Sequence, residues 1–201
     1  MKFKSLFGIL IFLVCIGLVD AKSKKKKPNQ RKVTEDKFQN QLIDYKEFQR
    51  IVDTSAETRE SHRLTEDKFL LMMKESGVIV LDARSESRYN LRHITGALNL
   101  PFTEFTETNL AKVIPSKKSK ILIYCNNNFD GSPAAFAAKA PAASLNLSTY
   151  NSLRAYGYSE IFELGPLLDV EKTKIPFEGS EVSDSNIKQK ENEKVDESQD
   201  K

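Results

Sequence analysis

Tryptophan is absent from the 201-residue chain, and only two histidines and two cysteines are present. His62, His93, Cys15 and Cys125 offer no metal-ligand spacing, so neither a metal nor another cofactor is expected. There is no C-x-x-C pair for dithiol exchange. Cys15 also lies in an N-terminal apolar stretch with the marks of a removable leader, which would leave Cys125 as the one thiol and exclude an internal disulfide framework. Reactive chemistry, intermolecular pairing or plain burial is what remains for Cys125. An excess of one charge is missing too. The 31 Lys and Arg against 28 Asp and Glu leave +3, too small to imply a nucleic-acid partner.

The apolar stretch at residues 6–19 falls short of the roughly 18 residues expected of a spanning helix. Preceded by Lys2 and Lys4 and followed by Val19-Asp20-Ala21, it reads as a secretory signal over residues 1–21. A periplasmic or secreted protein without a stable membrane span is therefore expected, a retained anchor being the alternative. Residues 22–33, with Lys22, Lys24, Lys25, Lys26, Lys27, Arg31 and Lys32, read as a basic disordered linker. From Pro176 to Lys201 eight acidic residues stand against four basic ones, and residues 171–201 are expected to form a disordered charged tail. Such tails are places where a protein partner could be tethered or recruited.

Between the tails the apolar pattern alternates between two periods. Thr34-Glu35-Asp36 resembles a capped helix start, and Phe38, Leu42, Tyr45, Phe48 and Val52 follow at helical spacing. The reading is a helical extension over residues 34–63, with an amphipathic helix at 34–52. Thr65-Glu66-Asp67 repeats the same chemistry and predicts a helix at 66–74 that stops near Gly77. Apolar runs at 78–81 and 121–124 predict strands, as do the mainly apolar segments 97–100, stopped by Pro101, and 161–164, closed by Gly165-Pro166. Between them a short helix or turn is expected at 85–91, and helices at 102–113, 134–140 and 149–156. Strands alternating with helices imply an α/β fold, with a mostly parallel central sheet flanked by helices over residues 64–170.

One stretch concentrates the chemistry. Ile121-Leu122-Ile123-Tyr124 reads as a strand buried on both faces, and it ends at Cys125. Asn126-Asn127-Asn128-Phe129-Asp130-Gly131-Ser132 follows as a polar, turn-forming loop, and Ser132-Pro133 resembles a helix N-cap with proline in the first position. The thiol is thus expected at a strand's carboxyl end before a helix N-terminus, where main-chain amides of the loop would favour an anion or a thiolate.

Several motifs in order resemble the rhodanese-like domain family. They are Asp82-Ala83-Arg84, Tyr89, His93-Ile94-Thr95-Gly96-Ala97-Leu98-Asn99-Leu100-Pro101, the strand ending at Cys125, and Tyr156-Gly157-Tyr158 leading to Leu164. The resemblance implies a sulfurtransferase in which Cys125 takes a sulfane sulfur from a small donor, becomes a persulfide, and passes the sulfur to a thiophilic acceptor. Residues 126–132 would then form the substrate-binding loop, with Asp82, Arg84 and His93 in support. Asp82 and Arg84 read first as an ion pair that fixes loops, the alternative being that Arg84 lends its charge to the thiol. His93 reads as structural. The sequence departs from many active relatives in having no cation between Cys125 and Pro133. That leaves a non-catalytic module binding an anion or a partner as the second reading. A cysteine phosphatase is disfavoured, because Gly131 stands where its loop would end in Arg.

Overall fold

The structure, a computed structural model, describes residues 40–182. The expected leader, the basic linker, the helix start at Thr34 and the chain beyond residue 182 lie outside the described residues. Among the described residues nine short strands follow in chain order: β1 (Arg63–Leu64), β2 (Ile79–Asp82), β3 (His93–Ile94), β4 (Leu98–Asn99), β5 (Ile121–Tyr124), β6 (Phe129–Asp130), β7 (Ile161–Leu164), β8 (Leu168–Asp169) and β9 (Phe177–Glu178). The α-helices are α1 (Tyr45–Ser61), α2 (Glu66–Met73), α3 (Glu86–Leu91), α4 (Glu107–Val113) and α5 (Leu145–Ala155).

The central sheet has the order β1-β7-β5-β2-β4, and all its pairings are parallel. β5 is central because every residue from Ile121 to Tyr124 is buried, as a strand covered on both faces requires. Its side chains alternate between two cores. Leu122 and Tyr124 join Phe69 of α2 with Phe129 and Phe136 on one face, whereas Ile121 and Ile123 join Leu110 of α4 and Tyr150 and Leu153 of α5 on the other. Thr65 caps α2 by accepting the Lys68 amide, as its sequence signature predicts.

Several expectations are corrected. Among the described residues the first helix begins at Tyr45, capped by Asp44, and continues to Ser61, past the expected end of the amphipathic helix at residue 52. Its expected apolar face is turned outward: Leu42, Tyr45, Phe48 and Val52 are exposed, while Ser55 is buried, and the helix packs against α5 and β7. The alanine-rich residues 134–140 form a turn followed by irregular chain rather than a helix. A segment this short is a poor helix nucleus, and Pro141 prevents its continuation. Ala135 and Phe136 are instead buried in the core. The helix after the loop starts at Leu145, four residues ahead of the expected Thr149. Finally, order persists past residue 171. Ile175 is buried, and β9 pairs antiparallel with β3, so the tail expected to be disordered is structured as far as residue 182.

Candidate active site

Cys125 stands immediately after β5, at the carboxyl edge of the parallel sheet where α/β folds place ligands. It is a free cysteine with 1% of its surface exposed. Its sulfur lies 3.4 Å from the hydroxyl of Ser144, the residue that precedes α5. The serine near the thiol at a helix start is therefore Ser144, not the expected Ser132. Ser132 hydrogen-bonds Glu181 instead, and its carbonyl accepts from Phe136 in a single turn.

The loop after the thiol braces itself. Asn126–Asn128 form one turn of 3-10 helix, in which the Asn128 amide donates to the Cys125 carbonyl and the Phe129 amide to that of Asn126. The Gly131 amide donates to Asp130 Oδ1. The Phe129 and Gly131 amides, expected to cradle the sulfur, are committed elsewhere. The asparagine side chains serve as staples. Asn127 exchanges hydrogen bonds with the backbone of Lys139, and Asn128 donates to the carbonyls of Leu164 and Pro166 while accepting the Cys125 amide at 2.9 Å. Asn126 is buried beside a neighbouring cavity, and Phe129 packs among Tyr124, Phe136 and Phe177.

Asp82 and Arg84 form a buried ion pair, with side chains 0% and 1% exposed. Arg84 also donates to the carbonyls of Ala135 and Arg92, and its guanidinium lies 4.4 Å from the centre of the Phe136 ring. Its charge is spent on Asp82 and on bracing loops. Tyr124 donates its hydroxyl to Asp82, and burial, reinforced by the Asp82 carboxylate, pushes this phenol well above its ordinary pKa. His93 stacks on Tyr89, bonds the Tyr89 carbonyl at 2.7 Å and lies 3.6 Å from Glu178. None of its contacts is with Cys125.

The thiol lines a cleft of about 220 Å³ with Arg59, Arg63, Ser144, Asn146 and Glu163 among its walls. No local sequence signal marked these residues. Glu163 alone gave a hint, as a carboxylate inside the apolar run 161–164 must find a partner when buried. That partner is Arg59 of α1, at 2.6 Å. A larger cavity, about 520 Å³, is lined by Ser85, Arg88, Thr103, Asn126 and Lys139 beside Arg84, with no carboxylate in its wall.

A family model described as the rhodanese-like domain matches residues 65–164. The chain carries a rhodanese-like domain, and through it belongs to that family. Solved structures similar to it include the Alr3790 protein of Anabaena sp., at 19% identity over 62% of this chain and 87% of that one, with a TM-score of 0.42. The BH2092 protein of Bacillus halodurans is also 19% identical, over 66% of this chain and 88% of that one, at a TM-score of 0.43. A rhodanese from E. coli solved with anions shares 19% identity over 51% of this chain and 99% of that one, at 0.35. No curated protein matches the sequence. Arg59 of α1 lies outside the matched residues, so the thiol cleft of this rhodanese-like domain is completed by a segment that the family model does not cover.

Proposed function

We propose that the protein is an exported sulfurtransferase that carries sulfane sulfur as a persulfide on Cys125. The observation that carries the reading is the position of the thiol: it directly follows the central parallel strand of a rhodanese-like domain and lines a cleft with Arg59, Arg63 and Glu163. In the first step the Cys125 thiolate attacks the outer sulfur of a donor. The bond between that sulfur and the remainder of the donor breaks, and the remainder leaves with the electron pair. In the second step a thiophilic acceptor attacks the terminal sulfur, and Cys125 departs as the thiolate. Ser144 is placed to donate a hydrogen bond to the sulfur, and Arg59 offsets the Glu163 carboxylate that shares the cleft. Residues 1–21 are proposed as the leader that exports the chain.

A second reading has its own support. The thiol is almost wholly covered, and the larger adjacent cavity has the side chains of Arg88 and Lys139 in a wall without carboxylates, which suits an anion held with no covalent step. Incubating the protein from residue 22 onward with sulfane donors separates the two. A sulfurtransferase gains the mass of one sulfur atom and Cys125→Ser does not. A binding module gains none, and retains anion binding when Cys125 is replaced.

A further inference from the structure

We infer that α1 is part of the thiol site, and that Arg59 is a positioning residue that sets the charge an anionic reagent meets at Cys125. The inference deepens the sulfurtransferase reading and rests on Cys125 being its reactive thiol.

An unbroken chain of polar contacts connects the helix to the cysteine. Arg59 Nη2 donates to Glu163 Oε1 at 2.8 Å and lies 2.6 Å from Oε2. Asn146 Nδ2 reaches the same carboxylate at 3.3 Å and donates to Asn128 Oδ1 at 3.0 Å. That oxygen also accepts the Cys125 amide, at 2.9 Å. The guanidinium on α1 thus holds Glu163, and Glu163 helps hold the two asparagines that fix the main chain at the thiol.

The charges in the cleft give this chain its consequence. Three charged side chains line it: Arg59 from α1, Arg63 from β1 and Glu163 from β7. Arg63 is turned toward Glu60 and the Gly165 carbonyl, so Arg59 is the cation on Glu163. The Glu163 side chain is 7% exposed, and water does little to screen it. With Arg59 in place the carboxylate is compensated. Without it, an unpaired negative charge faces both the thiolate and any anion approaching it. Such a charge repels a negatively charged sulfur donor and leaves a neutral one largely unaffected.

The test compares alkylation of Cys125 by iodoacetate, an anion, with alkylation by the neutral iodoacetamide. Arg59→Gln is expected to lower the iodoacetate-to-iodoacetamide rate ratio about tenfold, the scale of one nearby charge in a partly screened site. Arg59→Lys should recover most of the ratio, and Arg59→Gln combined with Glu163→Gln should restore it, since the carboxylate is then gone. An unchanged ratio in Arg59→Gln overturns the inference, as does a double variant as impaired as the single one. A wild-type thiol that reacts with neither reagent overturns it as well. Should Arg59→Gln fail to fold, Glu163→Gln carries the test: it must raise the ratio, and no change contradicts the inference. Alkylation needs no sulfur transfer, so persulfide formation, read separately on the same proteins, can fail while the coupling stands, or stand while the coupling fails.

Discussion

The Asp82 carboxylate illustrates what a single residue can hold. It accepts from the Arg84 guanidinium, the Arg84 amide and the Tyr124 hydroxyl, all buried beneath the loop that carries the thiol. Asp82→Asn leaves the Arg84 charge buried and unpaired, and the expected loss of stability is about 3–5 kcal/mol, measured by urea unfolding. Tyr124 supplies a pH dependence whose sign is fixed. Its phenol is held above its ordinary pKa by burial first and the Asp82 carboxylate second. The folded state therefore keeps a proton that the unfolded chain releases, so the contribution is complete below about pH 10 and is lost as the pH rises beyond it. Urea midpoints should fall above that pH. Tyr124→Phe should lower stability at neutral pH and flatten the alkaline decline, and an equally steep decline in the variant would contradict this origin.

Elements report how far local pattern reaches. Strands β2 and β5 are legible because continuous apolar runs mark them, β7 because only Glu163 interrupts its apolar residues, and α2 because Thr65 caps it. The Ser132-Pro133 pair misleads for a physical reason. It has the residues of a helix start, but Phe136 gains more by packing on Phe129 and over Arg84 than by facing solvent from a short helix, and Pro141 bars extension. In α1 the apolar spacing points to the wrong face, because the small Ser55, buried against the body, leaves no hydrophobic mark in the sequence. β1, β3 and β9 have two residues each, too few to show a period. β9 nevertheless closes the apolar layer that contains Phe129 and Phe136, and Gly179 after it has φ +128°. A Cβ there would fall on the Leu91 carbonyl, backbone that cannot swing aside. Gly179→Ala should thus detach β9 from β3, seen as faster amide exchange at Thr95, which donates to the Pro176 carbonyl. Unchanged protection would show that the strand relaxes to accommodate the methyl.

At the scale of the whole molecule, two kinds of information separate. The α/β architecture with its central parallel sheet follows from the order of strands and helices, and the thiol's place at the sheet's carboxyl edge follows from where the apolar run 121–124 stops. The rest of the cleft is not local. Arg59 and Glu163 are 104 positions apart, and only the folded chain brings them together beside a cysteine that neither neighbours in sequence. Among the described residues no helix is long and apolar enough to cross a membrane. The central claim is that Cys125 accepts sulfur. Its most direct test is intact-mass measurement of the protein from residue 22 onward and of Cys125→Ser after exposure to a panel of sulfane donors. The account predicts one added sulfur atom on the wild type, removed by a thiophilic acceptor, and none on the variant. Equal gain by both, or no gain by the wild type with any donor, would contradict it.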